Sequence, residues 1–471
     1  MIIKRITTVL IIISCILWGI YGVLVLLDKK LPPVHHDQVL IDLIATQKWI
    51  DIEHYYQQNK DHISNWATLM YTAATGNAFN RPLEAFEALG QLTDMIETGQ
   101  LKVSKQIFLR IMIEPALNLC SDLREYQKGE EFRQKFLHIL QNDSLLELDN
   151  REILIRQMKR FSDEYKSGAQ TYPKTEIVKK REQNNQGEIQ LIPDNSKNGI
   201  VFNAKWNRIN LRTFFDTGVG GEAYIYNREI AEMLGIKLNT ADTILINENR
   251  RCLRGIADSL EFGNFTIKNI PVTVNIETLD KADTSMVKCD SLFNSQLDIV
   301  LGMPIIKQLG AIELDFSKNT MSFPQNTKSF KKRNLYIENS VLYMNIELCN
   351  TDFLTLFDTG YDHCLAINTD FYEKHQRHIA IETQERQAKQ HWAGCNEAST
   401  KYFINYSCPQ IRMKINGQAI KLINDCSVAK DKENDHLFGV EEGGFLGNGI
   451  FKYCKKATFD FDRMVFYVIS K

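Results

Sequence analysis

The tetrapeptide Phe-Asp-Thr-Gly occurs twice in this chain, at Phe215–Gly218 and Phe357–Gly360, 142 residues apart and each time at the end of a β-like apolar run. One copy constrains little, because Asp-Thr-Gly also serves as an ordinary turn in which the Asp side chain bonds its own backbone and the Gly tolerates positive φ. The frame around the copies constrains far more. Gly302 closes Val300-Leu301-Gly302, 86 residues after Asp216, and Gly447 closes Phe445-Leu446-Gly447, 89 residues after Asp358. Thirteen residues beyond each glycine stands an Asp-Phe pair, Asp315-Phe316 and Asp460-Phe461, ahead of a short final strand. Landmarks recurring at offsets of 142, 145 and 145 describe an internal duplication, so the C-terminal part is expected to fold as two copies of one unit.

Two copies supply two carboxyl groups. Hydrolysing a peptide without metal or covalent intermediate requires a base that activates water and an acid that protonates the carbonyl oxygen. Like charges about 3 Å apart cannot both ionise, so such a pair shares one proton and titrates in two steps. Gly218 and Gly360 let the backbone turn sharply beside each carboxylate, and the Thr217 and Thr359 hydroxyls can bond across to the opposite loop. Gly302 and Gly447 are expected to end buried strands and leave room beneath each loop.

On these residues the chain from about 186 to 471 resembles the retropepsin-like aspartic proteases, in a tandem single-chain form similar to the two lobes of pepsin. Lobe one carries the closer resemblance: Leu260–Val272, Ile299–Gly310 and Ile312–Phe316 follow the bacterial aspartyl protease pattern throughout. The resemblance implies that Asp216 and Asp358 are the catalytic pair. It implies that Thr217, Gly218, Thr359 and Gly360 shape the active-site loops, and that flaps lie near Arg254-Gly255 and Ala393-Gly394. A peptide or protein substrate and no cofactor follow from it. Because one chain holds both halves of the site, the catalytic unit is expected to work as a monomer. Where the family usually has Ala or Ser after the tetrapeptide, this chain has Val219 and Tyr361. That departure favours the alternative, a catalytically weak peptide-binding module with a helical partner-binding domain. The intact Asp-Thr-Gly in both lobes favours a membrane-anchored endopeptidase, since a pure binding protein has no physical reason to hold two mutually repelling carboxylates.

At 471 residues the chain exceeds one core. Ile6–Leu27 is uncharged, lies between Lys4-Arg5 and Asp28-Lys29-Lys30, and is long enough to span a bilayer, so residues 1–30 are expected to be a membrane anchor. The slight basic bias of the N-terminal flank places the N-terminus inside and the catalytic part outside, in a periplasm or at a cell surface. Ile12-Ile13-Ser14-Cys15 also resembles a lipoprotein cleavage box, although apolar residues would follow Cys15 where a polar tether is usual. Residues 38–165 read as helical, with Trp66, Leu69, Ala73, Ala74, Gly76, Ala85, Phe86 and Leu89 outlining one hairpin and Leu119 to Phe136 a second. Such hairpins loosely resemble tetratricopeptide units, and either pack as a spacer or bind a protein partner. Residues 166–187 read as a linker, 188–327 as lobe one with a helix over Pro304–Leu309, and 334–471 as lobe two. The fold class expected is therefore an N-terminal transmembrane helix, an all-α helical-hairpin domain, and a mainly-β two-lobed acid-protease unit.

A net charge of −2 offers no basic face to nucleic acid, and Lys331-Lys332-Arg333 reads as a solvated linker. The ten cysteines include no Cys-x-x-Cys pair and no zinc spacing, so no metal is expected. Cys395, Cys408 and Cys426 either pair, if lobe two lies outside the cell, or stay free and buried. Asp362-His363-Cys364 lacks the second His or acid that a Cys-His site would need.

Overall fold

The structure, a computed structural model, describes residues 35–101, 119–120, 123–142, 173–180, 187–192, 199–246, 250–276, 299–330, 332–338, 340–391, 400–429 and 443–471, with isolated positions between 155 and 162. The anchor expected over 1–30 and the Ala393-Gly394 flap lie outside these residues. Among the described residues, no helix is long and apolar enough to cross a membrane.

The N-terminal part is helical: α1 (His36–Thr46), α2 (Trp49–Asn59), α3 (Asn65–Thr75), α4 (Pro82–Glu97) and α5 (Tyr126–Asn142). Ser64 caps α3 by accepting from the Ala67 amide, and Pro82 starts α4 where a missing N–H costs nothing. Ala67, Met70, Ala73 and Ala74 of α3 meet Ala88, Leu89 and Leu92 of α4 in one buried cluster. A Cβ on Gly76 would lie 2.6 Å from that of Ala85, so only glycine lets the chain turn this tightly into α4. This α3–α4 hairpin is the one expected from the sequence; a second complete hairpin is not visible among the described residues.

The rest is mainly β. Lobe one contains β1 (Glu176–Lys179), β2 (Ile189–Gln190), β3 (Val201–Trp206), β4 (Ile209–Phe215), β5 (Ala223–Ile225), β6 (Asn239–Ile246), β7 (Arg250–Phe262), β8 (Phe265–Asn275), β9 (Ile299–Leu301), β10 (Ala311–Asp315) and β11 (Thr320–Ser322). Lobe two contains β12 (Leu335–Glu338), β13 (Val341–Leu348), β14 (Thr351–Asp358), β15 (Leu365–Ile367), β16 (Glu385–His391), β17 (Thr400–Ile415), β18 (Gln418–Ala429), β19 (Gly444–Gly447), β20 (Cys454–Asp460) and β21 (Val465–Ser470). In lobe one the ring β3-β4-β9-β5-β8-β7 returns to β3; in lobe two β13-β14-β19-β15-β18-β17 returns to β13. Every parallel or antiparallel pairing of one ring recurs in the other. In β3 the alternation Phe202 in, Asn203 out, Ala204 in, Lys205 out, Trp206 in turns one face to the barrel interior.

A separate five-stranded sheet, β2-β11-β10-β20-β21, joins the lobes. At its centre β10 of lobe one runs antiparallel to β20 of lobe two, from Ala311 opposite Asp460 to Asp315 opposite Lys456, and Lys456 bridges back to Glu313 and Asp315.

Four sequence expectations change. Within the expected linker, Glu176–Lys179 adds strand β1 to the open edge of β8, where Ile177 finds partial burial. The helix after Gly302 is shorter than Pro304–Leu309, spanning Met303–Ile306, and lobe two has a counterpart in the 3₁₀ helix Asn448–Tyr453. Arg254 and Gly255 lie within β7, bonded to β8; Gly255 is small because Ile236 packs against it, not because a turn needs it. Arg333, expected in solvent, reaches Glu53 of α2 at 3.4 Å and lies 4.8 Å over the Phe79 ring.

Candidate active site

Phe215 and Phe357 are buried, and both rings meet Phe459 of β20, at 6.1 and 5.4 Å between centroids. The first residue of each repeated tetrapeptide therefore nails its loop to the sheet shared by the lobes. Beside each tetrapeptide strand runs a parallel neighbour, Leu301 of β9 next to Phe215 and Gly447 of β19 next to Asp358. The Gly302 amide donates to the Glu222 carbonyl at 2.9 Å and the Met303 amide to Val219 at 2.8 Å. In lobe two the Gly447 amide donates to Cys364 at 2.8 Å and Asn448 to Tyr361 at 2.9 Å. A Cβ on Gly302 would lie 2.7 Å from the Val219 carbonyl oxygen, and one on Gly447 2.7 Å from Tyr361 Cδ1. Both glycines are thus required by the loops resting on them.

The loops interlock. The Thr217 amide donates to Thr359 Oγ1 at 3.0 Å and the Thr359 amide to Thr217 Oγ1 at 3.0 Å. Each hydroxyl in turn donates to a carbonyl of the opposite strand, Thr217 to Phe357 at 2.7 Å and Thr359 to Phe215 at 2.9 Å. Both threonines are fully buried, so four backbone groups that water cannot reach are satisfied across the lobe boundary.

This interlock brings Asp216 and Asp358 within hydrogen-bonding reach of each other. Each carboxylate is steadied by an amide of its own loop, Gly218 to Asp216 at 2.9 Å and Gly360 to Asp358 at 2.7 Å. Each also overhangs the glycine of the other loop: a Cβ on Gly218 would lie 2.5 Å from Asp358 Cγ, and one on Gly360 2.7 Å from Asp216 Cγ. Burial raises the Asp216 carboxyl well above its ordinary range, and the charge of Asp358 beside it adds to the rise. Asp358 is raised by burial as well, but the hydrogen bond from Asp216 and the amides of Gly360 and Tyr361 oppose the rise. Both carboxyls are thus pushed upward by burial, and ionising one makes its neighbour harder to ionise, so the pair favours holding a shared proton. The pair can offer an acid and a base to one bond.

Neither residue after the tetrapeptides supplies a hydroxyl here. Val219 has none, and the Tyr361 ring packs edge-on against Phe445. Cys364 is buried and its thiol is pushed far up by that burial, while His363 is exposed 3.7 Å from Asp362, so the two form no nucleophile. The described cysteines are free; Cys408 and Cys426 face each other across β17 and β18, and Cys395 lies outside the described residues.

Two supports were not anticipated from the sequence. Asn448 donates from Nδ2 to the Thr359 carbonyl at 3.0 Å, a role that an Asn directly after the landmark Gly447 could have suggested. Arg124, from the helical part, pairs with Glu222 at the end of the first loop, and no sequence spacing signals that contact.

No model of a known protein family matches the chain, and no curated protein does. Among solved structures, the crystal structure of a retropepsin-like aspartic protease from Rickettsia conorii is similar to it over 31% of this chain and 90% of that one, at 21% identity and a TM-score of 0.20.

Proposed function

We propose that the chain is an aspartic endopeptidase, with Asp216 and Asp358 sharing one proton across two lobes of a single polypeptide. The observation that carries this reading is the reciprocal Thr217–Thr359 bonding, which holds two buried carboxyls, both raised above their ordinary range, side by side. Asp358, ionised, takes a proton from a water lying between the carboxyls as that water attacks the scissile carbonyl carbon. Asp216, protonated, gives its proton to the carbonyl oxygen. The resulting tetrahedral diol collapses when the proton on Asp358 passes to the leaving nitrogen, and Asp216 recovers its own from the diol. No metal and no covalent adduct enter the scheme.

The catalytic unit acts as a monomer in this reading, because both loops belong to one chain. Ile6–Leu27 serves as an uncleaved anchor that holds the protease outside the membrane. Recovery of full-length protein only in the soluble fraction would sink the anchor, and specific activity that fell with dilution would sink the monomer.

The second reading, a peptide-binding module of weak activity, is favoured by Val219 and Tyr361. Incubating the full chain with a diverse peptide mixture separates the two. Cleavage abolished by a statine-type inhibitor, which imitates the tetrahedral diol, supports the enzyme; peptide retention without cleavage supports the module.

A further inference from the structure

The two active-site loops are not held equally. In lobe two, the carbonyl that receives the Gly447 amide belongs to Cys364, whose side chain is 2% exposed and packs in the protein core. The same loop has the extra bond from Asn448 to Thr359. In lobe one the carbonyl that receives the Gly302 amide belongs to Glu222, and Met303 stands where lobe two has Asn448, its side chain having no donor to add to the bond its amide makes to Val219. Glu222 is only partly buried, unlike Cys364. Its anchor comes instead from another part of the chain: Arg124 Nη2 meets Glu222 Oε1 at 2.5 Å, while Arg124 Nη1 bonds the Pro173 carbonyl. The pair is well shielded, with side chains 10% and 26% exposed, so its attraction is weakly screened compared with a surface bridge. Arg124 and Glu222 sit in the wall of a cavity of about 420 Å³ between the helical part and lobe one, which Gly220 and Gly221 also line.

We propose that Arg124 is a positioning residue for the first catalytic loop, so that the helical part completes the scaffold that lobe two builds for itself. Arg124 fixes Glu222; the Glu222 carbonyl fixes the Gly302 amide; and Gly302 underlies the loop that carries Asp216. Anything that displaces α5 and its leading turn thereby loosens the Val219–Glu222 side of the first loop, while the corresponding side of the second loop keeps its own supports from Cys364 and Asn448. The effect on turnover rests on the peptidase reading above, whereas the effect on loop order does not.

Four variants of the full chain test this: Arg124→Ala, Arg124→Glu, Glu222→Arg, and the double reversal Arg124→Glu with Glu222→Arg. Amide hydrogen exchange should speed up in 219–222 and 301–303 in each single variant and stay unchanged in 361–364 and 446–449, the interlocked amides of Thr217 and Thr359 being left out because each bonds the other loop. The kcat on a cleavable peptide should fall about tenfold to a hundredfold with KM changed less than about twofold, since a misplaced group loses rate before it loses binding. The double reversal should recover both readouts in large part. Unchanged exchange in lobe one, equal loosening of both loops, or a double reversal no better than the singles would each overturn the proposal. If the unaltered chain cleaves nothing, the peptidase reading fails, while the lobe-selective exchange pattern still decides whether Arg124 positions the loop.

Discussion

Thr217 and Thr359 stand in a reciprocal relation, the amide of each donating to the hydroxyl of the other at 3.0 Å, so neither loop can shift without breaking both bonds. Replacing Thr359 by Val leaves the Thr217 amide and the Phe215 carbonyl buried without partners. At roughly 1 to 3 kcal/mol for each of the two orphaned groups, the loss should be about 2 to 6 kcal/mol. Thr359→Ser keeps the hydroxyl and should lose less than about 1 kcal/mol. Urea unfolding curves measure both; equal losses for Val and Ser would show that the hydroxyl is not what holds the loops.

Gly302→Ala and Gly447→Ala should each disable the site, because the added methyl meets a loop carbonyl or ring that cannot move without displacing a carboxylate. Overpacking of this kind costs about 1 to 3 kcal/mol in stability, and misplacement of the Asp should cost turnover about a hundredfold. Circular dichroism melts alongside peptide kinetics separate the two effects; full turnover in either variant would contradict the close approach.

Arg333→Ala should destabilise the junction between the helical part and lobe two. Glu53, 4% exposed, would keep its bond from Tyr71 but lose its cation, and Phe79 would lose the guanidinium over its ring. Allowing for the partial exposure of Arg333, about 2 kcal/mol should be lost, readable as a lower denaturant midpoint. A midpoint within error of the unaltered chain would mean that Arg333 is a solvated linker residue after all.

The pH profile follows from the carboxyl pair. Both groups are raised by burial, and no hydroxyl from residue 219 or 361 stabilises the charged form, so the shared proton persists to higher pH than in an exposed pair. The kcat/KM profile should be bell-shaped with its maximum at about pH 5 to 6.5. A maximum below about pH 4 would show that backbone donors compensate fully. Stability carries the same sign. Because Asp216 binds its proton more tightly folded than unfolded, its contribution is greatest below the unfolded carboxyl pKa and is lost as pH rises through the raised folded pKa. Asp216→Asn should therefore be at least as stable as the unaltered chain at pH 7, by thermal melt.

The site was legible in the sequence because a duplication writes each landmark twice: Asp216 with Asp358 and Gly302 with Gly447 carry their own spacing control. The α3–α4 hairpin was legible from apolar spacing around Gly76. The contacts that hold the parts together were not. Arg333 on Glu53, Asn80 bridging the Lys307 and Phe461 carbonyls, and Arg124 on Glu222 join residues far apart in the chain, through polar side chains with no periodicity. Strand β1 was missed because a four-residue edge strand with only Ile177 turned inward leaves no alternation to read.

The turnover of Asp216→Asn, Asp358→Asn and the double variant, on one peptide that the unaltered chain cleaves, tests most directly whether the two carboxyls work as a single unit. Each single change should lower kcat by several orders of magnitude with the fold intact, and the double change should add little, since either removal abolishes the shared proton. Retention of more than about a tenth of the activity by either single variant, or losses that multiply in the double, would contradict a joint role for Asp216 and Asp358.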